Sequence, residues 1–483
     1  TIATTRPETM LGDTAVAVHP NDKRYKNKLG KNVILPIVGK KIKIIADVYA
    51  DPKQGSGAVK ITPAHDFNDY EVGQRNNLEI LNIFTEDGKI NNNSPKEFIG
   101  LDRFEARKKL IKLLIENNYF VKEENIKNKV PYGDRSNSII EPYLTEQWFA
   151  DAKKLSVKAK QIVKSKKTNF FPENWSKTYF QWMDNIEPWC VSRQLWWGHQ
   201  IPAWYGPDGK VFVEYTEEEA IKEAKNYYKK DVELKRDEDV LDTWFSSGLW
   251  PFATLGWPNQ TDYLKKFYPT TVLVTGFDII FFWVARMMMM GMAFLEKEPF
   301  KDIYVHALVR DEKGQKMSKS KGNVIDPLDL IEKYSADALR FTLLSMASPG
   351  RDVKLSEDRV KGYRNFLNKI WNANNLLKQN DCNFDEIEKP KELKVNINKW
   401  IISEYYSINN QIKQNIKDYR FDEAARNAYQ FVWHSFCDWY LELSKTILYS
   451  DDKSSIEEVK KVSAYIFREI LIILHPFIPF VTE

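Results

Sequence analysis

Short apolar runs separated by chain-breaking residues dominate the first quarter of the chain. Residues 15–18, 33–38 and 42–48 are rich in β-branched side chains, with Gly, Pro, Asn or Asp between them. This is the pattern of short strands joined by turns. Residues 102–117 instead carry apolar side chains at helical spacing. The pattern therefore predicts a mainly β domain with one helix over residues 1–129.

The pattern changes twice further along the chain. In residues 130–347 Trp becomes frequent, and apolar runs at 271–274 and 303–306 alternate with helical stretches, which is typical of a parallel sheet covered by helices. From residue 348 to 483, apolar positions recur at three-and-four spacing and predict an α-helical bundle without strands. The first such set, expected on a buried face, is Val360, Tyr363, Leu367, Ile370 and Trp371. The polar stretch 379–394 is the predicted loop between two of its helices.

Composition narrows the class of protein. The chain has 483 residues, enough for about three domains. Its 71 basic and 67 acidic side chains leave a net charge of +4, so any surface that binds nucleic acid has to be local. The three cysteines, Cys190, Cys382 and Cys437, are too far apart to form a CxxC pair. This spacing argues against a disulfide scaffold or a thiolate zinc knuckle and favours a reducing compartment.

Residues 272–294 form the one long apolar run, and it contains Asp278 and Arg286. Each of these two costs about 2.5 to 3.5 kcal/mol at the centre of a bilayer, so we expect a core segment and no membrane span. The chain begins without an initiator Met or an apolar leader. We therefore expect a fragment of a longer protein.

The strongest local feature is the sequence KMSKSKGN at residues 316–323, which places three lysines, two hydroxyls and a glycine in eight residues. Such a loop can close over a polyphosphate, where lysine charges stabilise a leaving pyrophosphate. By composition alone, a solvated basic turn is the alternative interpretation.

The KMSKS sequence at 316–320 resembles the signature of class I aminoacyl-tRNA synthetases. Four further segments resemble the valyl branch of that family, and the resemblance runs over essentially the whole chain. They are TTRPET at 4–9, KITPAHDFNDY at 60–70, SRQLWWGH at 192–199 and DTWFSS at 242–247. The resemblance implies an α/β fold in three parts: an editing domain at 1–129, the second half of a Rossmann-like nucleotide-binding fold at 130–347, and an anticodon-binding helical domain at 348–483.

The resemblance also implies a synthetic site. Lys316 and Lys319 would bind the phosphates of ATP, with Ser318 and Ser320 in the same loop. Gly276 and Asp278 would lie against the adenylate, and His306 could approach ATP. Trp244 and Ile279 would form a wall of the valine pocket. Core packing remains the alternative for Trp244, and a structural hydrogen bond for His306. For Asp278, a carboxylate inside an apolar run needs a partner or a purpose.

A second, hydrolytic site has a physical reason. Threonine has the shape of valine, and an apolar pocket rejects such an isostere only about a hundredfold, a ratio for which valyl-tRNA synthetases are the reference case. By the resemblance, Asp69 would hold the ammonium group of misattached threonine. Asp66, Lys60 and Thr62 would surround its hydroxyl and the ester, and Arg6 and Thr5 would touch the terminal adenosine. Without the resemblance, residues 60–70 are equally a surface turn shaped by Pro63.

The cofactors and partners follow from the same resemblance. We expect ATP with Mg²⁺, no zinc or other protein-bound metal, valine and valine tRNA as substrates, and a monomer in the cytoplasm. No His-x-Gly-His-type signature occurs in residues 1–483, so this chain alone should not complete adenylation. The alternatives are an isoleucyl-type ligase, a hydrolase acting only on threonyl-tRNA, and a non-catalytic RNA-binding relative.

Overall fold

The protein is described here by a computed structural model covering residues 1–133, 136–318, 321–350, 352–384 and 387–483. Two units form along the chain, Thr1–Gln147 and Trp148–Glu483. The first unit thus ends 18 residues after the predicted boundary at 129. The domain limits drawn from the sequence stay a prediction.

A four-stranded mixed sheet organises the first unit. Its strands are β1 (Ala15–Val18), β2 (Asn32–Ile34), β3 (Lys41–Ala46) and β4 (Ala58–Ile61). Their order is β2-β3-β1-β4, with β1 parallel to β3 and antiparallel to β4. The predicted strands are present: β1 matches the run at 15–18, whereas β2 and β3 are shorter than the runs at 33–38 and 42–48. After β2 the chain turns through Ile37 and Gly39, which have φ values of 66° and 75°, and such left-handed residues end an extended run.

Two helices complete this unit, α1 (Phe67–Arg75) and α2 (Arg103–Glu116). Each begins after an aspartate, Asp66 or Asp102, whose carboxylate accepts backbone N–H groups of the first turn. The helix predicted over 102–117 is therefore confirmed. Because the two helices hold more residues than the four short strands, the unit has less strand than the pattern predicts.

The second unit contains the predicted parallel sheet. Strands β13 (Thr270–Gly276), β14 (Phe300–His306) and β6 (Asn169–Phe171) are adjacent in that order and all parallel. Helix α9 (Arg286–Phe294) connects β13 to β14, as parallel pairing requires. The other strands before residue 347 are short: β5 (Phe149–Ala150), β7 (Trp189–Cys190), β8 (Ser192–Arg193), β9 (Ala203–Tyr205), β10 (Val211–Val213), β11 (Lys235–Arg236), β12 (Val240–Leu241) and β15 (Val309–Arg310).

The other helices of this region are α3 (Ala152–Lys164), α4 (Asn174–Asp184), α5 (Glu217–Tyr228), α6 (Thr243–Ser247), α7 (Trp250–Ala253), α8 (Asp262–Phe267), α10 (Pro327–Tyr334) and α11 (Ala336–Met346). Helices α3 and α4 contribute to the core of the parallel sheet, α5 packs on β10, and α10 and α11 pack in the core of the helical region that follows.

Residues Phe277–Phe294 are long and apolar enough to cross a membrane by length and composition alone. In the fold they form a 3₁₀ turn, a π-helical turn (Ile280–Ala285) and α9. Met287, Met288 and Met289 are fully buried in the core beneath the parallel sheet. Burial of this kind is expected of a core helix.

The region after residue 348 is helical, as predicted. Its helices are α12 (Glu357–Gln379), α13 (Asn396–Lys417), α14 (Phe421–Gln430), α15 (Leu441–Leu448), α16 (Lys453–Leu474) and α17 (Pro479–Thr482), with a π-helical segment at Phe431–Tyr440. Two expectations were wrong in detail. A two-residue strand, β16 (Val353–Lys354), pairs with β15, and Trp371, expected on a buried face, is 60% exposed.

Candidate functional site

The carboxyl edge of the parallel sheet brings together three of the predicted residues. Gly276 ends β13, His306 ends β14, and the two are paired in register. A Cβ at Gly276 would lie 2.7 Å from Asp278 Oδ1 and 3.6 Å from His306 Cε1. Only glycine therefore leaves room for the Asp278 carboxylate to lie back over the end of β13. This edge is where parallel α/β sheets bind their ligands.

The environment of Asp278 differs from the sequence expectation. Its side chain is exposed in the 3₁₀ turn after β13 and is not buried inside an apolar run. The expectation that Asp278 lies inside an apolar run was wrong, because the run is divided between a strand and a turn. An exposed carboxylate at this edge is accessible to a ligand.

His306 is exposed beside it. Its Nδ1 lies 2.9 Å from the carbonyl oxygen of Ala307. Because a carbonyl oxygen only accepts, Nδ1 carries the hydrogen in this contact, and Nε2 of the neutral ring is left as an acceptor. The structure thus shows both the local hydrogen bond and a nitrogen that can face a ligand.

The two residues predicted to wall the valine pocket flank one aromatic cluster. Asp242 caps α6 by accepting the backbone N–H of Trp244 at 3.1 Å. The half-buried Trp244 ring lies 5.9 Å from the ring of Phe282. Ile279, also half-buried, directly precedes the π-helical turn that carries Phe282. An apolar wall of this kind suits a branched aliphatic side chain.

The lysine-rich loop is held at its base by two side chains. Asn323 Oδ1 accepts the backbone N–H of Ser318 at 3.0 Å, and Asn323 Nδ2 donates to Asp311 at 2.9 Å. The Asn323 amide helps keep the pKa of Asp311 below its ordinary value. Lys316 is exposed, whereas Lys319 and Ser320 lie outside the described residues. Neither Asn323 nor Asp311 was predicted from the sequence. Asn323 is the last residue of the KMSKSKGN segment, and Asp311 lies shortly before that segment.

In the first unit, a buried polar cluster forms around Thr62. The Thr62 hydroxyl donates to Asp13 at 2.6 Å, and its backbone N–H donates to Asp69 at 2.9 Å. Lys60 Nζ lies 2.5 Å from the same hydroxyl oxygen, 3.2 Å from Asp13 Oδ1 and 2.9 Å from the Thr9 hydroxyl. Three of the predicted editing residues, Lys60, Thr62 and Asp69, are therefore in one place, together with Asp13, which the sequence analysis missed.

Burial sets the charges of this cluster. Asp13 is 2% exposed, and burial raises its pKa to about 6. Burial also raises the pKa of Asp69, against the lowering effects of the Thr62 N–H and Lys60. His65, 1% exposed, has its pKa lowered by burial to about 3 and is neutral near pH 7. Two carboxylates and one lysine are thus the titratable centre of the cluster.

The other predicted editing residues lie around this cluster in different roles. Asp66 is exposed and caps α1, accepting the backbone N–H of Asn68 at 2.9 Å. Arg6 donates to the carbonyl oxygen of His65 at 2.6 Å and pairs with Glu141. Thr5 is exposed beside Arg6. The Arg6–Glu141 pair was not foreseen, because 135 residues separate its members.

Within the described ranges, no group of three or more His, Cys, Asp or Glu side chains could hold a metal ion. At the sheet edge, the Asp278 carboxylate lies beside Gly276, at the end of β13. This single carboxylate fits a magnesium ion that brings most of its ligands with a nucleotide, as Mg²⁺ commonly does.

Comparison with protein families decides the classification. The model for tRNA synthetases class I (I, L, M and V) matches residues 8–356, and the model for the anticodon-binding domain of tRNA ligase matches residues 398–483. The chain belongs to the class I tRNA synthetases. Its parallel sheet and helical region are the catalytic and anticodon-binding folds of that family.

Curated relatives of this class I synthetase chain agree with the family. It is 77% identical over 483 residues to the valine--tRNA ligase of Pelagibacter ubique and covers 55% of that protein. It is 56% identical over 482 residues to the valine--tRNA ligase of Caulobacter vibrioides and covers 53% of it. In both comparisons the whole of this chain is matched. The chain thus spans about half the length of these relatives.

Solved structures share the fold of this synthetase chain. Methionyl-tRNA synthetase of Mycobacterium tuberculosis in complex with methionyl-adenylate aligns with a TM-score of 0.57 at 16% identity, over 73% of this chain and 64% of that one. The agnB2 LeuRS of Agrobacterium radiobacter K84, in a ternary complex with tRNA and LeuAMS, aligns with a TM-score of 0.51 at 17% identity. That alignment covers 99% of this chain and 57% of the other.

Proposed function

We propose that this chain is part of a valine--tRNA ligase, which joins valine to ATP and then transfers it to valine tRNA. The observation that carries the proposal is the 77% identity to a valine--tRNA ligase over all 483 residues. The sequence TGFDII at 275–280, which contains Asp278 and Ile279, resembles the valyl rather than the isoleucyl form of this segment, and this resemblance supports valine as the substrate. We propose a monomer in the cytoplasm, whose domains have the limits given above.

Adenylate formation builds up negative charge on the leaving pyrophosphate. A carboxylate oxygen of valine attacks the α-phosphorus of ATP, and the bond to pyrophosphate breaks as negative charge grows on the leaving group. Lys316 and Lys319 would stabilise that charge, since fixed cations lower a barrier most where charge develops. Ser318 and Ser320 would support the same loop. Mg²⁺ would arrive with ATP and share this charge.

The sheet edge would hold the rest of the adenylate. Asp278 would bind the ammonium group or the ribose, and Gly276 would let these groups approach the backbone closely. His306 would contact ATP through its outward nitrogen. Trp244 and Ile279 would surround the isopropyl group. Asp278, in the turn after β13, and His306, at the end of the adjacent strand β14, are both exposed, which supports this assignment.

The first unit would hydrolyse threonyl-tRNA that has been formed in error. Water would attack the ester carbonyl, and threonine would leave from the terminal ribose of the tRNA. Asp69 would hold the threonine ammonium group, while Lys60 and Thr62 would face its hydroxyl and the ester. Arg6 and Thr5 would contact the terminal adenosine, and Asp66 would lie beside the ester. The burial of Asp13, Thr62 and Asp69 supports a site that excludes bulk water.

The helical region would bind the tRNA. The match of residues 398–483 to an anticodon-binding domain supports this role. Backbone phosphates would meet basic side chains, and unpaired bases would stack on exposed aromatic rings.

The test of the ligase proposal uses the full-length protein that contains this chain. Valine-dependent exchange of pyrophosphate into ATP should exceed isoleucine-dependent exchange, and valine should be attached to valine tRNA. A preference for isoleucine would favour the isoleucyl-type alternative. Cleavage of threonyl-tRNA without any amino-acid-dependent exchange would leave only the hydrolase.

A further inference from the structure

Arg286 is a buried arginine without a hydrogen-bonded partner for two of its nitrogens. It begins α9 and is 6% exposed. Across the residues that the structure describes, Nε and Nη1 find no acceptor. Burial lowers the pKa of Arg286 to about 10, so the group remains charged near pH 7. A buried charge kept without these hydrogen bonds calls for another interaction.

The interaction is stacking on two aromatic rings. The guanidinium carbon of Arg286 lies 3.8 Å from the centre of the Trp189 ring and 4.9 Å from that of Phe281. A planar, weakly hydrated cation is well suited to such stacking, whereas the ammonium group of lysine is not planar. Arg286 therefore fixes the positions of two rings from different segments.

Both rings connect to Trp244, by two separate routes. Along the first, the Trp189 indole N–H donates to Asp242 Oδ2 at 3.0 Å, and Asp242 Oδ1 accepts the backbone N–H of Trp244 at 3.1 Å. Along the second, Phe281 lies 5.5 Å from Phe282, whose ring is 5.9 Å from that of Trp244. Two separate chains of contacts thus begin at one guanidinium and end at Trp244, one at its backbone N–H and the other at its ring.

We propose that Arg286 is a positioning residue for the amino-acid pocket, which it controls by fixing Trp244 through Trp189 and Asp242 on one side and Phe281 and Phe282 on the other. It touches neither valine nor ATP. This inference rests on the proposed function, because it takes Trp244 as a wall of the valine site. It adds a residue that determines how well that wall fits the isopropyl group.

The experiment measures pyrophosphate exchange by the full-length protein carrying Arg286→Met, which removes the planar cation and keeps an unbranched apolar chain. The KM for valine should rise about tenfold, with the KM for ATP and kcat changed less than about twofold, because only the fit of the amino acid is affected. Arg286→Lys, which keeps the charge without the plane, should raise the KM for valine almost as much.

Arg236→Met is the matched control. Arg236 also stacks on a tryptophan, at 5.1 Å from the Trp204 ring, but it lies on β11, outside the cluster around Trp244. This variant should leave the KM for valine unchanged. Trp189→Phe removes the N–H that reaches Asp242 and replaces the indole under Arg286 with a smaller ring. It should raise the KM for valine by several-fold and add little to the effect of Arg286→Met, because residues acting along one route are not additive.

Three results would overturn the inference. They are an unchanged KM for valine in Arg286→Met, an equal change in the KM for ATP, and full additivity with Trp189→Phe. If Arg286→Met does not fold, an unchanged KM for valine in Trp189→Phe overturns it instead. Failure of the proposed function would be seen separately, as an absence of valine-dependent exchange in the unsubstituted full-length protein.

Discussion

Lys60 and Asp13 form a buried ion pair in the first unit, with Nζ and Oδ1 3.2 Å apart. Strand pairing brings them together: β1 and β4 are antiparallel, Ala15 lies opposite Ile61, and Asp13 stands two residues before Ala15. The Lys60 ammonium group has three donors, and Thr9, Thr62 and Asp13 lie within hydrogen-bond distance of it. Lys60 is therefore held in place before any substrate arrives.

Substitution of Thr62 is the most specific test of this cluster. Thr62→Val keeps the backbone N–H to Asp69 and the side-chain shape but removes the hydroxyl that donates to Asp13. We expect hydrolysis of threonyl-tRNA to slow by about ten- to a hundredfold, because Asp13 and Lys60 lose their common partner. A hydrogen bond to a charged group contributes about 1.5–3 kcal/mol. The measurement is single-turnover deacylation by the full-length protein.

Thr62→Ser is the control, since serine retains the hydroxyl. It should hydrolyse threonyl-tRNA within about threefold of the unsubstituted rate. Equal rates for the valine and serine variants would show that the Asp13 contact has no part in editing.

Deacylation should depend on the ionisation of Asp13. Burial raises the pKa of this carboxylate to about 6, so it is ionised above that pH and becomes protonated as the pH falls through it. Protonation removes the counter-charge of Lys60, and the enzyme-dependent rate should fall below about pH 6. His65 does not titrate in this range, because burial lowers its pKa to about 3.

Asp69 titrates in the same direction as Asp13, since burial raises its pKa too. Asp13→Asn separates the two groups. The Asp13→Asn variant should hydrolyse threonyl-tRNA slowly at every pH from 5 to 8. Its rate should no longer show the part of the fall below about pH 6 that protonation of Asp13 causes. A profile identical in shape to that of the unsubstituted protein would contradict the assignment.

His65 should make the first unit sensitive to acid. Its pKa is about 3 when folded and 6.5 ordinarily, so between these values the unfolded chain binds a proton that the folded chain does not. Stability is therefore lost as the pH falls below 6.5, by about 1.4 kcal/mol per pH unit. Asp13 has the opposite sign between its two pKa values, but its contribution cancels when a His65 variant is compared with the parent.

The comparison uses His65→Gln and native-state hydrogen exchange. The Ile83 amide, whose N–H donates to His65 Nε2 at 3.0 Å, reports opening at this place. In the parent, protection corrected for intrinsic exchange should fall between pH 7 and pH 5. In the His65→Gln variant, protection of the Ile83 amide should fall less. An equal fall in protection in the two proteins would contradict the burial of a neutral histidine.

Asn323 should matter for adenylation without touching valine. Asn323→Ala removes the acceptor of the Ser318 N–H and the donor to Asp311. We expect kcat for pyrophosphate exchange to fall about tenfold, with the KM for valine unchanged, because the lysine loop loses its anchor. Asn375→Ala, at an exposed position on α12, is the control. A rise in the KM for valine alone would place Asn323 in a different role.

The sequence predicted helices and loops better than the burial of individual side chains. The helix over 102–117 and the loop over 379–394 follow from periodicity and breaker residues, which act locally. Asp278 was placed in a buried run because a composition window cannot show where a strand turns into a 3₁₀ helix. Trp371 fits the helical spacing and is nevertheless exposed, since spacing defines a face but not what covers it.

The site residues that were not predicted from the sequence contact partners far away along the chain. Asp13 meets Lys60 and Thr62 from 47 and 49 residues away, and Glu141 meets Arg6 from 135. Contacts of this range depend on strand register and on the path of loops, which a single sequence does not reveal. The one local signal for Asp13 was a carboxylate two residues before an apolar strand.

Threonine-dependent formation of AMP tests both sites of the full-length protein together. With valine tRNA present, the unsubstituted protein should consume ATP with threonine and accumulate no threonyl-tRNA. Asp69→Ala should still activate threonine and should accumulate threonyl-tRNA, because the product is no longer hydrolysed. Failure of threonine to support AMP formation, or an Asp69→Ala protein that accumulates no threonyl-tRNA, would contradict the account.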